Sequence, residues 1–163
     1  MSKQEKSLFM TVLMTPDMAN FSGHVHGGAI LKLLDQVAYA CAARYCKTYV
    51  VTVSLDQVIF REPIKVGELV AFSSNVNYVG TTSLEVGVKV VAENITTNTK
   101  RHVISCYFTM VSLGADGKPA RAPELQLDSE TERRLFEAGK MRKEMRQEIA
   151  ARNKALHVGM PDR

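Results

Sequence analysis

Apolar and polar residues alternate along much of the chain. In the cleanest stretch, one face of a strand would carry apolar side chains and the other mostly polar ones, the apolar set being Leu84, Val86, Val88, Val90 and Ala92. Segments 7–14, 49–60, 68–79 and 101–113 show similar alternation or are rich in Val, Ile and Thr. Turn-forming Gly, Pro and Asn residues separate the last four strands, so we predict an antiparallel meander.

A different pattern occupies residues 28–45, where apolar residues are nearly continuous and too numerous for a strand. Ala38 and Ala42 make one side of this segment small, which would let it pack closely against a sheet. A helix that is hydrophobic nearly all round is expected to be buried. The pattern therefore predicts an α+β fold in which an antiparallel sheet wraps round one long central helix.

A second helix is predicted near the C-terminus. Ser129, followed three residues later by Glu132, is typical of a capping box, and a charged helix then runs to about Asn153. We accordingly divide the chain into a main domain, residues 1–127, and a basic C-terminal helix and tail, residues 128–163.

Composition and charge narrow the classes of function. Residues 1–127 carry 12 basic and 10 acidic side chains and residues 128–163 carry 9 and 7, so the net charge of +4 is spread out. This distribution argues against a nucleic-acid partner, for which a basic stripe with interleaved aromatics is expected, but suits a small anionic ligand such as a phosphate-bearing one. No run approaches the ~18 apolar residues of a membrane span, and the polar N-terminus lacks a secretory pattern. We expect a cytoplasmic protein with no membrane partner.

Neither the cysteines nor the histidines suggest a metal or a disulfide. The three cysteines form no Cys-x-x-Cys pair, and Cys41 and Cys106 fall within apolar patterns, as buried thiols do. His24 and His26 are close in sequence but lack a third ligand nearby. We therefore predict no metal site.

The candidate chemistry lies between Asn20 and Asp35. His26, Gly27 and Gly28 form a glycine-rich turn that leads into the first helix, where exposed backbone N–H groups could stabilise an oxyanion. Asp35 follows Gly28 by about two helical turns. It would share an apolar stripe with Leu31, Ala38 and Ala42, where an acid is costly unless it is paired or functional. Each feature alone could be only a turn or a solvated side chain.

These residues, in the pattern Asn20…His26-Gly27-Gly28…Asp35, resemble the hotdog-fold acyl-CoA thioesterases. The branch most similar is that of the cytosolic, brain-type acyl-CoA hydrolases and their bacterial relatives. Segments 60–68 and 80–86 also match, and the similarity covers roughly residues 8–125 as well as the C-terminal helix. Glu68 departs from the family, which has Asp at this turn.

The resemblance implies a homo-oligomer: a dimer as the smallest active unit, commonly assembled as a trimer of dimers. It also implies a site at the dimer interface, with Asn20 from one subunit facing Asp35 of the other. In the expected hydrolysis of acyl-CoA to CoA and a free fatty acid, Asp35 would be general base or nucleophile and Asn20 would position water or the carboxylate. The carbonyl oxygen would point at the N–H groups around Gly27 and Gly28, and His26 would donate a hydrogen bond that holds the turn.

No separate cofactor is expected, because coenzyme A is part of the substrate and product. Thr82 and Ser83 match the family segment near the pantetheine groove. The candidate phosphate contacts are basic residues, any of which could equally be solvated surface: Arg61, Lys89, Arg142 and Lys143.

Two other functions remain open. A hotdog-fold acyl-CoA hydratase or dehydratase would pair an acid with a histidine on the helix, but the residues after Asp35 are Gln36, Val37, Ala38 and Tyr39. A non-catalytic acyl-CoA sensor would be expected to carry an effector such as a helix-turn-helix, for which 163 residues leave little room.

Overall fold

A computed structural model describes residues 3–156. Five antiparallel strands form one sheet in the order β1-β3-β4-β5-β2. Their bounds are β1 Ser7–Leu13, β2 Tyr49–Asp56, β3 Leu69–Val79, β4 Ser83–Asn94 and β5 Thr99–Leu113. All five were predicted, from alternation or from Val, Ile and Thr content, and β1 and β2 are the two edges.

The long helix α1, Gly27–Cys46, lies close to all five strands. Its sheet-facing side is fully enclosed and consists of apolar residues: Ile30, Leu34, Val37, Ala38, Cys41, Ala42, Tyr45 and Cys46. The α+β fold with a central helix is therefore confirmed. The prediction that this helix is buried all round is wrong for the single chain, because Leu31, Asp35 and Tyr39 are exposed.

Strand β2 is shorter than predicted. It ends at Asp56, where Gln57 adopts a left-handed backbone with φ 59° that a strand cannot continue. The segment from there to Glu68 is a loop, although Val58, Ile59 and Phe60 are apolar enough to resemble a strand. This loop becomes part of the candidate site.

The β2 edge is unusually apolar for an exposed strand. Tyr49 and Val53 are 62% and 60% exposed, and the register with β5 shifts between Thr52 and Ser54. An exposed apolar edge is a surface on which another strand can pair.

An ion pair between the buried Glu68 and the partly exposed Arg101 fixes the turn before β3. Glu68 is nearly inaccessible, and its carboxylate accepts from Lys65 N at 2.7 Å and from Arg101 Nη2 at 2.8 Å. Arg101 also contacts the Pro63 carbonyl and the Glu62 carboxylate, so one β5 side chain holds the whole 62–68 turn. The Arg101 guanidinium is the main reason that the pKa of Glu68 lies below its usual value.

Replacing Arg101 with Met should destabilise the protein by about 2 to 3 kcal/mol at pH 7. This is less than the ~3–5 kcal/mol for a fully buried pair, since Arg101 is partly exposed. A carboxylate whose pKa is lowered on folding adds stability above its unfolded pKa, and this stability disappears as the pH falls through the folded value. Chemical denaturation from pH 7 downwards should therefore show the two proteins converging below about pH 4. A difference that does not change with pH would contradict this assignment.

The structure divides into two compact units, the first ending at Gln126 and the second beginning at Leu127. In the second, α2 runs over Glu130–Ala155, and Ser129 Oγ accepts from Glu132 N at 3.2 Å as the capping box predicts. The reciprocal bond is displaced by one residue, because the Glu132 carboxylate accepts from Asp128 N. The predicted tail after this helix lies mainly outside the described residues. Within residues 3–156 no helix is long and apolar enough to cross a membrane.

Candidate active site

Asn20 begins a tight hairpin that precedes α1. Its N–H donates to the His24 carbonyl at 2.6 Å, and Gly23 makes the reversal with φ +80°, a conformation that favours glycine. The returning arm pairs with the 62–68 turn through a bridge between His24 and Lys65, and Val25 N donates to the Ile64 carbonyl at 2.8 Å. The hairpin is thus attached to the turn that Arg101 fixes.

The Asn20 side chain is oriented by its own hairpin. Its Oδ1 accepts from Ser22 N at 2.9 Å, Ser22 Oγ at 2.8 Å and His24 N at 3.1 Å. With the oxygen engaged, the Nδ2 amide group remains to bind a reacting molecule. The side chain can therefore act there as a hydrogen-bond donor.

The helix N-terminus differs from expectation in the role of His26. His26 is the N-cap, and its Nδ1 accepts a hydrogen bond from Gly28 N at 2.9 Å. The prediction that His26 donates the hydrogen bond that holds the turn was wrong: the ring accepts it, because the first N–H groups of a helix need acceptors. A Cβ on residue 28 would lie 3.1 Å from this ring nitrogen, which explains the second glycine. The Gly28 N–H is occupied, whereas the Gly27 N–H has no acceptor among the described residues.

Asn20 and Gly27 line the same open cavity, of about 340 Å³. Arg61 and Phe60 contribute from the loop after β2, and its remaining walls include Val25, Ile30 and Ile64. In the described part of the chain the cavity therefore combines an amide donor, a backbone N–H, a cation and apolar walls. Asp35 does not line it.

Asp35 lies instead on the exposed side of α1, facing β2. Its Oδ1 accepts a hydrogen bond from Thr52 Oγ1 at 2.7 Å. Leu31, Tyr39 and Val53, all exposed and apolar, are on the same two elements. A carboxylate held by a hydroxyl within an apolar exposed surface suits a site that a second molecule covers. Thr52 was not predicted, since in a strand rich in Val and Thr nothing distinguishes it.

Comparisons with known proteins identify the family. The family model of the thioesterase superfamily matches residues 22–99. The Helicobacter pylori protein VdlD is 49% identical over 139 residues, which are 85% of this chain and 79% of that one. An uncharacterised acyl-CoA thioester hydrolase of Bacillus subtilis, YkhA, is 31% identical over 153 residues, or 94% and 89% of the two chains. The chain belongs to the acyl-CoA thioester hydrolases of the thioesterase superfamily.

Solved structures of the family confirm the predicted hotdog fold. A Staphylococcus aureus acyl-CoA hydrolase, solved with butyryl-CoA, CoA and CoA disulfide, is similar with a TM-score of 0.84 and 27% identity over 93% of each chain. An apo, hexameric acyl-CoA thioesterase has a TM-score of 0.85 and 33% identity, with 89% of this chain and 93% of that chain covered.

The Staphylococcus enzyme has also been solved with an Asn, an Asp or a Thr replaced by Ala. Its Asp lies 15 residues after the Asn, and its Thr 17 residues after the Asp. Asn20, Asp35 and Thr52 have the same two spacings in this chain.

The other predicted ligand-binding residues of this family member are spread over the structure. Arg61 reaches the cavity, whereas Thr82 is in the turn before β4 and Ser83 is the first residue of that strand. Lys89 is exposed in the middle of β4, and Arg142 and Lys143 are partly exposed on α2 in the second unit. Of these predicted ligand-binding residues, only Arg61 lines the cavity of Asn20 and Gly27 in the single chain.

The cysteines take no part in this site. Cys41, Cys46 and Cys106 are free and buried, and burial raises the pKa of Cys46 to about 11 and that of Cys106 to about 12. These thiols stay protonated at neutral pH and are poor nucleophiles. Within residues 3–156 no three His, Cys, Asp or Glu side chains cluster closely enough to hold a metal ion.

Proposed function

We propose that the protein hydrolyses acyl-CoA to CoA and a free fatty acid at a site completed by a second copy of the chain. The observation that carries this proposal is the separation of the site into two parts. Asn20 and the free Gly27 N–H line one cavity, whereas Asp35 and Thr52 lie on an exposed apolar surface outside it. The matching Asn, Asp and Thr spacings of the Staphylococcus enzyme support treating the two parts as one site.

In the proposed reaction the thioester carbonyl lies in the cavity of one subunit, with its oxygen near the Gly27 N–H and Asn20 Nδ2. Asp35 of the partner accepts a proton from water as that water attacks the carbonyl carbon, or attacks the carbon itself to give a mixed anhydride. Thr52 holds the carboxylate in the orientation that either route needs. On the general-base route, collapse of the tetrahedral intermediate breaks the C–S bond, and the departing sulfur of CoA takes the proton that Asp35 accepted from water. On the nucleophilic route the sulfur leaves with a proton from solvent, and a water molecule then hydrolyses the mixed anhydride to the free fatty acid and the Asp35 carboxylate.

The assembly we propose is a homo-oligomer, a dimer at least and a trimer of dimers in full. The exposed apolar β2 edge and the hexameric relative support it. Arg61, in the cavity, is proposed to contact the CoA phosphates. Thr82, Ser83, Lys89, Arg142 and Lys143 stay proposals for CoA contacts, and the cytoplasm stays the expected location.

Thiol release from a panel of acyl-CoAs, from short to long chains, tests the function directly. We expect turnover with a preference for some chain lengths, and a thiol reagent will report CoA with little background because the protein's own thiols are buried. Binding of CoA without thiol release from any member of the panel would refute hydrolysis and favour a sensor. Hydration or dehydration of the acyl chain would favour the hydratase.

Thr52→Val should lower kcat by about 10-fold with little change in stability. Valine has nearly the shape of threonine but cannot donate to Asp35, and a hydrogen bond to a charged group contributes about 1.5–3 kcal/mol. Thr52→Ser keeps the hydroxyl and should retain most of the activity. The test is the steady-state kcat of the two variants. Equal losses of kcat in both would mean that the hydroxyl group of Thr52 does not contribute to catalysis.

A further inference from the structure

Two residues that the proposed reaction does not use lie directly beside Asn20. Ser22 Oγ is 2.8 Å from Asn20 Oδ1 and 3.0 Å from His24 Nδ1. All three residues line the 340 Å³ cavity. The three side chains therefore form a short hydrogen-bonded series, whose direction follows from the donors and acceptors available.

The amide orientation of Asn20 is determined by the backbone. The N–H groups of Ser22 and His24 both point at the same side-chain atom of Asn20, at 2.9 and 3.1 Å. A backbone N–H can only donate, so this atom must be the oxygen and not the NH₂ nitrogen. The usual ambiguity between the two ends of an Asn amide does not arise here.

The proton positions in the rest of the series follow from this orientation. Asn20 Oδ1 cannot donate, so the single proton of the Ser22 hydroxyl is the one that joins the two side chains. Ser22 Oγ then has only lone pairs to offer His24, and His24 Nδ1 must carry a proton and donate. The neutral His24 ring is thus the tautomer protonated at Nδ1.

We propose that Ser22 and His24 are positioning residues that hold the Asn20 amide so that its Nδ2 faces the reacting thioester. Three donors on Oδ1 oppose rotation of the amide about its side-chain bond. They also polarise it, which makes Nδ2 a stronger donor. This inference rests on the proposed function, because it assigns a role within the same site.

A purely structural role in the hairpin is the competing explanation, and matched variants separate the two. His24→Asn keeps a donor near the position of Nδ1, whereas His24→Leu has nearly the same shape and none. We expect His24→Leu to lower kcat by about 3- to 10-fold with KM within about 2-fold, corresponding to a lost hydrogen bond. His24→Asn should recover most of this loss.

The same pair of variants in an Asn20→Ala background tests whether His24 acts through Asn20. Without the Asn20 amide, His24→Leu should have no further effect on kcat. An equal loss in both backgrounds, or a loss in His24→Asn as large as in His24→Leu, would overturn the proposal. If the His24 variants fold poorly, Ser22→Ala and Ser22→Thr provide the same comparison through the hydroxyl.

The tautomer of His24 gives a readout that does not depend on turnover. Two-bond nitrogen–proton NMR spectra of the wild-type protein, recorded where the ring is neutral, should show the proton on Nδ1. A proton on Nε2 would overturn the proposed hydrogen-bonded series of His24, Ser22 and Asn20 even in an active enzyme. A protein with the Nδ1 tautomer that hydrolyses no acyl-CoA would instead refute the proposed function, and the positioning role with it.

Discussion

Asp35→Asn is expected to lower kcat for thiol release by about 100-fold or more while leaving the stability of the protein nearly unchanged. Asn keeps the shape of the side chain and an oxygen that can accept from Thr52, but it can neither take a proton from water nor attack a carbonyl carbon. Because Asp35 is exposed on the single chain, its replacement removes no core packing.

Asp116→Asn is a suitable control. Asp116 is an exposed carboxylate in the turn after β5 and accepts one hydrogen bond, from Lys118 N, as Asp35 accepts one from Thr52. Its replacement should leave kcat unchanged. If Asp35→Asn were as active as this control, the acid would have no part in the chemistry. Single-turnover hydrolysis in isotopically labelled water tests the nucleophilic role of Asp35, since label in its carboxylate requires a mixed anhydride that water opens at the Asp35 carbonyl carbon. Label in the fatty acid alone is expected both from the general-base route and from an anhydride opened at the acyl carbon.

Variants at Asn20 and Asp35 also test whether the site is shared between subunits. Asn20→Ala should lower kcat about 100-fold. The double variant should lower kcat by less than the product of the two single effects, because the two residues act as a unit. Random assembly of equal amounts of Asn20→Ala and Asp35→Ala chains should restore about a quarter of the wild-type activity, since half of the dimers are mixed and each has one complete site. No recovery in mixed dimers would place both residues of a site in one chain.

Gly27→Pro is the second variant with a large expected effect, a loss of about 100- to 1000-fold in kcat. Proline is well tolerated at the first position of a helix, and His26 already has the extended backbone, with ψ 133°, that precedes proline. The substitution therefore removes little except the Gly27 N–H, which has no acceptor in the described structure. A single oxyanion donor typically contributes about 3–4 kcal/mol to the transition state.

Gly27→Ala serves as the control for this variant, because it keeps the N–H. Its Cβ would lie 3.7 Å from the Phe60 ring, an ordinary contact. Circular dichroism should show the helix intact in both variants, and CoA affinity should remain similar. A kcat for Gly27→Pro equal to that of Gly27→Ala would exclude this N–H as the oxyanion donor.

The strands and helices could be predicted from the sequence because their patterns are local. The alternation in β4 and the capping residue Ser129 each depend on neighbours a few positions away. The end of β2 could not be predicted, since apolar residues continue to Phe60 and the left-handed Gln57 gives no signal of its own. The exposure of Leu31 and Tyr39 also escaped prediction, because an apolar helix side looks the same whether its own chain or a partner covers it.

The candidate site was predictable as a set of residues but not as an arrangement. Asn20, the diglycine turn and Asp35 came from motif spacing and resemblance. The contact between Asp35 and Thr52 depends on how α1 lies across β2, which no local pattern encodes. The sense of the His26 hydrogen bond depends on which helix N–H groups lack acceptors, and this is visible only once the turn has a definite geometry.

Because Asp35 lies outside the Asn20 cavity, the specific activity of the enzyme should depend on its own concentration. If the two parts of the site meet only across subunits, a dissociated chain has no complete site. Specific activity then falls on dilution below the dissociation constant of the dimer, and acyl-CoA bound between subunits opposes this fall by mass action. The catalytic rate per chain would thus report how much of the protein is assembled.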